Sequence, residues 1–209
     1  MNILVYINSS NHLAKSALEA VTYAQKIGGT ITVVATGSVA DETLGTLGEY
    51  GAQKVLVDRS VATEDSQQVT RLIAKAAEAT GAELIVFSHD LVAKAVAPRL
   101  SVRLRAGLIS GAVDVPNANG QVKVNVFSGK AFGFVSVKSA KKIISLLPNS
   151  FQPEKTGAAC AVEAFDGAAG SAVIKVIETK MPEGEIPLPE AELVVSAGRG
   201  LKGPENWGI

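Results

Sequence analysis

DSQQVTRLIAKAAEATGAELIVFS, residues 65–88, is the stretch from which the fold is read. Val69, Leu72, Ile73, Ala76 and Ala77 recur at the spacing of one helical face, which predicts a helix over 65–80. Gly81 ends it, as glycine does at helix C-termini. Leu84-Ile85-Val86-Phe87 follows at once, a short apolar run with the length and composition of a buried strand. A helix delivered this directly into a buried strand is the second half of a βαβ unit.

Upstream the same alternation holds. Asn2 to Asn8 is a β-branched and aromatic run and predicts the first strand; it lacks the basic start and small-residue cleavage site of a signal peptide. Asn11 is placed to cap a helix carrying Leu13, Ala17, Val21, Ala24 and Ile27 on one face, closed by Gly28-Gly29. Thr30 to Thr36 predicts a second strand and Lys54 to Val57 a third, with a weaker helical stretch running to Tyr50 between them. Downstream of residue 88, Val92, Val96, Leu100 and Leu104 sit four apart. Pro98 falls among them, so this helix either kinks or begins its regular part there. The expectation is an α/β fold, a mostly parallel sheet with helices on both faces.

From Gly107 the helical period fades. Gln121–Phe127 alternates polar and apolar residues after an Asn117–Gly120 turn, and Phe132–Lys138, Ile143–Leu147 and Ala172–Ile177 are further strand candidates. They are expected to extend the sheet with antiparallel pairs. Pro182, Pro187 and Pro189 mark 181–190 as a linker. The expected division is an α/β domain over 1–180, the linker, and in 191–209 the truncated start of a second domain, opening on a strand at Leu193–Ser196.

Composition bounds the function. The 209 residues are 47% hydrophobic and 19% charged, with twenty Lys and Arg balancing twenty Asp and Glu. That excludes a disordered chain and argues against a general nucleic-acid binder, which needs a basic surplus; a local basic face stays open. No apolar run approaches the ~18–20 residues that span a bilayer. The lone Cys160 permits no internal disulfide, and its small-residue surroundings suit an inert thiol.

Three patterns have the residue types of a site. Gly198-x-Gly200-x-x-Gly203 matches the dinucleotide fingerprint as a string and follows the predicted strand at 193–196. The fingerprint also needs a helix, which Pro204 is placed to open, and an acidic residue about twenty positions on; a plain turn is the competing reading. Ser88-His89-Asp90 has triad residue types at a strand end, but adjacent side chains diverge, and helix capping by Asp90 is the simpler role. Arg99, Arg103 and Arg105 with Lys94 make a basic helix end, and Lys138, Lys141 and Lys142 a second basic group; a solvated face competes with a docking surface for both. His12, His89 and one cysteine make no zinc set.

Two of these stretches carry a resemblance. Val194-Val195-Ser196-Ala197-Gly198-Arg199-Gly200-Leu201-Lys202, followed by Glu205-Asn206, resembles the V-V-S-G-G-R-G-L-K…E-N signature that opens the flavin domain of electron transfer flavoprotein alpha subunits. Ala197 replaces the usual glycine. Ala97-Pro98-Arg99-Leu100-Ser101-Val102-Arg103-Leu104 is similar to that family's A-P-R-L-A-A-R-L segment, proline included. The resemblance implies an adenine nucleotide alpha hydrolase-like fold for the first domain, an electron-carrier role rather than an enzyme's, and pairing with a beta subunit. It implies one FAD in the complete heterodimer, contacted by Arg199 in its Gly198/Gly200 turn, and absent from this chain alone. It further implies electrons taken from acyl-CoA or other dehydrogenases and passed to a quinone oxidoreductase, no nucleic-acid partner, no metal, and a bacterial cytoplasmic location. Two readings remain beside it: a stand-alone nucleotide-binding domain of the adenine nucleotide hydrolase or universal stress protein type, using the strand ends at Asn8-Ser9-Ser10 and Ser88-His89-Asp90, and an interaction module without ligand.

Overall fold

The computed structural model describes residues 1–9, 12–62, 65–178, 188, 191 and 193–208. Asn11 and most of the Pro-rich 181–190 stretch lie outside them. The chain divides into two compact units, Met1–Thr179 and Lys180–Ile209.

The first unit is built on one sheet. Its strands are β1 (Asn2–Ser9), β2 (Thr30–Gly37), β3 (Lys54–Asp58), β4 (Leu84–Ser88), β5 (Gly107–Ala112), β6 (Val122–Val126), β7 (Ala131–Val135), β8 (Lys142–Leu146) and β9 (Ala161–Ala164). The helices are α1 (Lys15–Ile27), α2 (Asp41–Gly45), α3 (Ser66–Ala79) and α4 (Leu91–Leu104). The sheet order is β7-β6-β5-β8-β4-β1-β2-β3-β9. Every neighbouring pair from β5 to β9 in that order is parallel; β5–β6 and β6–β7 are antiparallel.

The central strands read as near-continuous apolar runs because both sheet faces are covered. Successive residues of β1 serve opposite faces. Ile3, Val5 and Ile7 join α1 residues Ala20, Val21 and Tyr23 in one core cluster. Leu4 and Tyr6 join Val69, Leu72 and Ile73 of α3 and Val96 and Leu100 of α4 in the other. Full burial of a side chain such as Leu72 contributes about 1.5–3 kcal/mol. Asp65 caps α3, its carboxylate accepting from the Gln67 and Gln68 amides.

The structure corrects three expectations and adds two strands, β5 and β9. Ile143–Leu147 is not an antiparallel extension: β8 inserts parallel between β4 and β5. Gly107–Ala112, with no clear pattern of its own, becomes a strand because β8 offers it an edge. Ala172–Ile177 is not a strand; the Val173 and Ile174 amides donate to the Asp65 carboxylate, so the run has no ladder to join. β9 occupies the β3 edge instead. Leu193–Ser196 is likewise not a strand, and Leu193, Val194 and Val195 are exposed with no neighbouring strand among the described residues. Pro98 sits inside α4, which runs through it from Leu91 to Leu104.

Candidate functional site

In an open parallel sheet, ligands bind beyond the carboxyl ends of the strands where the strand order reverses. Here β2 and β3 lie on one side of β1 and β4 on the other, so the reversal falls between β1 and β4. The residues there are Ser9, Thr36, Ser88, His89, Asp90 and Ser145.

Most of them satisfy each other. The Ser9 hydroxyl donates to the Thr36 carbonyl at 2.7 Å, and the Tyr6 and Thr36 hydroxyls are 3.0 Å apart. His89 Nδ1 is 2.9 Å from the Ser145 hydroxyl, which also accepts the Gly111 amide at 3.2 Å. Asp90 caps α4 by accepting the Ala93 amide at 2.7 Å. Burial pushes the His89 imidazole below its ordinary pKa and, more weakly, Lys94 does the same. Burial also pushes the Asp90 carboxyl upward, opposed by its backbone hydrogen bonds.

The triad types at 88–90 are therefore not assembled. His89 bonds Ser145, Asp90 bonds a helix amide, and the buried Ser88 hydroxyl has no partner among the described residues. A nucleophile needs its base within hydrogen-bond reach, and that link is missing. No group of three or more His, Cys, Asp or Glu able to hold a metal occurs among the described residues. Burial raises the Cys160 thiol pKa, the opposite of what a reactive cysteine needs.

The Gly198-Arg199-Gly200 turn lies in the second unit. Arg199–Leu201 forms one 3₁₀ turn and Pro204–Asn206 another. The Leu201 amide donates to Gly198 at 3.0 Å and the Lys202 amide to Arg199 at 3.1 Å, while Asn206 Nδ2 holds the Leu201 carbonyl at 2.8 Å. The backbone thus closes on itself and leaves Arg199 exposed, as are Lys202 and Glu205. A Cβ at Gly198 or Gly200 would meet nothing within 4 Å, so this backbone is open to close approach. A fixed cation beside open glycines suits an anionic, phosphate-bearing ligand such as FAD. It is not the amide cradle of a full dinucleotide fingerprint, because Pro204 opens a single 3₁₀ turn rather than a helix.

A third cluster escaped the sequence reading. Asp65 Oδ1 accepts two amides of α3, while Oδ2 accepts the Val173 amide at 2.6 Å and the Ile174 amide at 3.4 Å. These bonds, Val173's foremost, hold its carboxyl below the ordinary carboxylate range. The buried Asp58 accepts the Gly167 amide at 2.7 Å, Gln68 Nε2 donates to the Gly170 carbonyl and Arg71 to the Ala169 carbonyl. Residues 167–174 are thus strapped onto α3 and the end of β3. Asp65 alone in sequence signals only a helix cap.

The first unit is a mostly parallel α/β sheet covered on both faces, and the triad types at 88–90 are not assembled in it. The family model described as electron transfer flavoprotein domain matches residues 3–178, and the chain belongs to that family. It is 30% identical over 178 residues to the electron transfer flavoprotein subunit alpha of Bacillus subtilis (strain 168), covering 81% of this chain and 53% of that protein. It is 28% identical over 214 residues to the probable mitochondrial electron transfer flavoprotein subunit alpha of Caenorhabditis elegans, covering 98% and 63%. Against the electron transfer flavoprotein subunit alpha of Pseudomonas aeruginosa the identity is 29% over 220 residues, covering 100% and 69%. The chain spans little more than half of the first of these relatives and under two thirds of the second.

Proposed function

We propose that this chain supplies the N-terminal α/β part of an electron transfer flavoprotein alpha subunit, together with the turn that opens its flavin-binding part. The observation that carries the reading is the family match over residues 3–178, joined to alpha-subunit relatives whose similarity runs on through the Gly198-Arg199-Gly200 turn. In this reading the first unit is a scaffold that pairs with a beta subunit.

FAD, when bound, supplies the redox chemistry, and the protein supplies binding and orientation. Arg199 would place its guanidinium against the anionic part of that group, with Gly198 and Gly200 allowing the approach. In this reading the remaining contacts would come from alpha-subunit sequence outside the part of the longer relatives that this chain spans. In the complete heterodimer electrons would pass from dehydrogenases, acyl-CoA dehydrogenase of fatty-acid β-oxidation among them, to a quinone oxidoreductase. Among the described residues no helix is long and apolar enough to cross a membrane. A bacterial cytoplasmic location is part of the proposal. The test is mixing the purified chain with an electron transfer flavoprotein beta subunit and following sedimentation. A one-to-one complex is expected; two independent boundaries would refute the pairing.

The unpartnered Ser88 hydroxyl, at the point where the strand order reverses, favours one competing reading, a nucleotide-binding domain acting alone. Calorimetry with AMP and ATP separates the two. Tight binding by the isolated chain would support the competitor.

A further inference from the structure

The inner face of α4 is made by Ala93, Val96, Ala97 and Leu100, all buried in the core cluster shared with α3. Leu91, Ala95, Pro98 and Val102 fall opposite them. They follow one another at spacings of four, three and four, so they line a single stripe. All four are exposed, Leu91 at 82% and Val102 at 81%. Single apolar residues on a surface need no explanation, but an aligned stripe of them does. α3, packed beside α4, shows the ordinary alternative: its exposed positions include Gln67, Lys75 and Glu78.

The stripe is bordered by charge of one sign. Helical geometry sets Lys94 along one side and Arg99 and Arg103 along the other, and Arg105 follows at the C-cap; all four are exposed. From Leu91 to Val113 there is no Asp or Glu, and Asp90 before them is engaged in capping the helix. Among the described residues none of the four cations forms a salt bridge or a side-chain hydrogen bond, whereas Lys26, Lys54, Arg59 and Lys155 all pair with carboxylates. The helix dipole accounts for cations near the C-terminus, but Lys94 in the first turn works against it.

The basic group continues off the helix. Register sets Lys142 opposite Gly107, two residues after Arg105, and the Gly107 amide donates to the Lys141 carbonyl at 3.2 Å. Lys141 and Lys142 therefore meet the C-terminal end of α4. Glu83 is a neighbouring acid, and its carboxylate accepts the Asn2 amide at 3.4 Å.

We infer that the outer face of α4 is a docking surface for an anionic phospholipid bilayer, the Leu91–Val102 stripe entering the headgroup layer and Lys94, Arg99, Arg103 and Arg105 holding phosphates around it. Three features choose a bilayer over a protein. A helix surface offers no open strand edge for backbone pairing. The aromatic anchors that dominate protein hot spots are absent from residues 91–105. The charge is of one sign throughout, which matches a uniformly anionic surface. The stripe in turn separates a bilayer from nucleic acid, whose phosphate backbone gives Leu91 and Val102 nothing to bury against. Four short apolar side chains make the attachment peripheral and reversible. None of this depends on the pairing proposed above.

The probe is vesicles of phosphatidylglycerol mixed with phosphatidylcholine, compared with phosphatidylcholine alone, in flotation with the 209-residue chain. Two variant pairs are compared with wild type, Arg99→Glu/Arg103→Glu and Leu91→Ser/Val102→Ser, with the exposed Lys75→Glu of α3 as control. All four α4 positions are exposed, and circular dichroism checks that each variant folds; either pair keeps the test usable if the other does not. Wild type should float with the anionic vesicles only, and less so as salt rises. Each α4 pair should weaken that binding about tenfold or more, and Lys75→Glu should leave it unchanged. Absence of wild-type binding to the anionic vesicles would overturn the inference, as would equal binding by the folded α4 pairs. Binding that is lost in the arginine pair but kept in Leu91→Ser/Val102→Ser would reduce the face to a general polyanion contact, and would overturn it too. If the α4 pairs bind vesicles like wild type but fail to bind an electron transfer flavoprotein beta subunit, the face belongs to a protein and the inference falls.

Discussion

Asp65 does at one residue what most helix caps divide among several. One oxygen holds the first turn of α3 and the other holds the strap at Val173 and Ile174. Replacing it with alanine removes a cap and a charged hydrogen-bond acceptor together. Asp65→Ala should cost about 2–4 kcal/mol in urea denaturation, from roughly 1 for the cap and the rest for orphaned amides. The folded carboxyl lies below its ordinary value of 3.8, so it is the unfolded state that binds the proton first as pH falls. Its contribution is therefore present above that ordinary value and lost as pH drops through the folded pKa, and the wild type should converge on Asp65→Ala there. Glu19 works in the other direction. Its Oε1 is buried without a hydrogen-bond partner among the described residues, and burial raises its pKa above 4.5, against the Asn149 amide and Lys15. The unfolded state thus loses its proton first as pH rises, and Glu19 costs stability above its ordinary value. Glu19→Gln should melt higher than wild type at neutral pH, and the gap should close in acid. An unchanged melting temperature at pH 7 would contradict this.

Elements show where pattern suffices and where pairing decides. α3 and β4 were legible because both faces of the sheet are covered, so burial leaves its period in the residues. α1 and β1 to β3 were legible for the same reason. β5 and β9 were not, since Gly107–Ala112 and Ala161–Ala164 become strands only beside the edges of β8 and β3. Ala172–Ile177 and Leu193–Ser196 are the reverse case, apolar runs with good β propensity and no ladder to enter. In α4, Pro98 cannot donate the amide that an interior helical position calls for. Because the helix runs straight through it, Pro98→Ala should stabilise the first unit by about 1–2 kcal/mol, less than the full helix penalty since proline also restrains the unfolded chain. Loss of stability in the same denaturation experiment would mean the proline is needed in the folded helix. At the strap, a Cβ on Gly167 would lie 2.5 Å from Leu72 Cδ1 and 3.0 Å from Asp58 Oδ2, so Gly167→Ala should loosen it. Faster amide exchange at Val173 and Ile174 is the expected sign.

At the scale of the molecule, every buried core residue among the described residues lies between Ile3 and Ala169, in two clusters on the two faces of one sheet. A chain ending at residue 178 should therefore keep the melting transition of the first unit. A fall of more than a few degrees would show that later residues contribute to its core. The candidate sites were less legible than the fold. Ser88-His89-Asp90 reads as chemistry in one dimension, but adjacent side chains bond different neighbours. On the proposed function, this chain is a scaffold, and the flavin would be held mainly by alpha-subunit sequence beyond what it spans. The most direct test is flavin absorbance of the purified 209-residue protein, with flavin released by denaturation and quantified. A colourless protein is expected. One flavin per chain would contradict it.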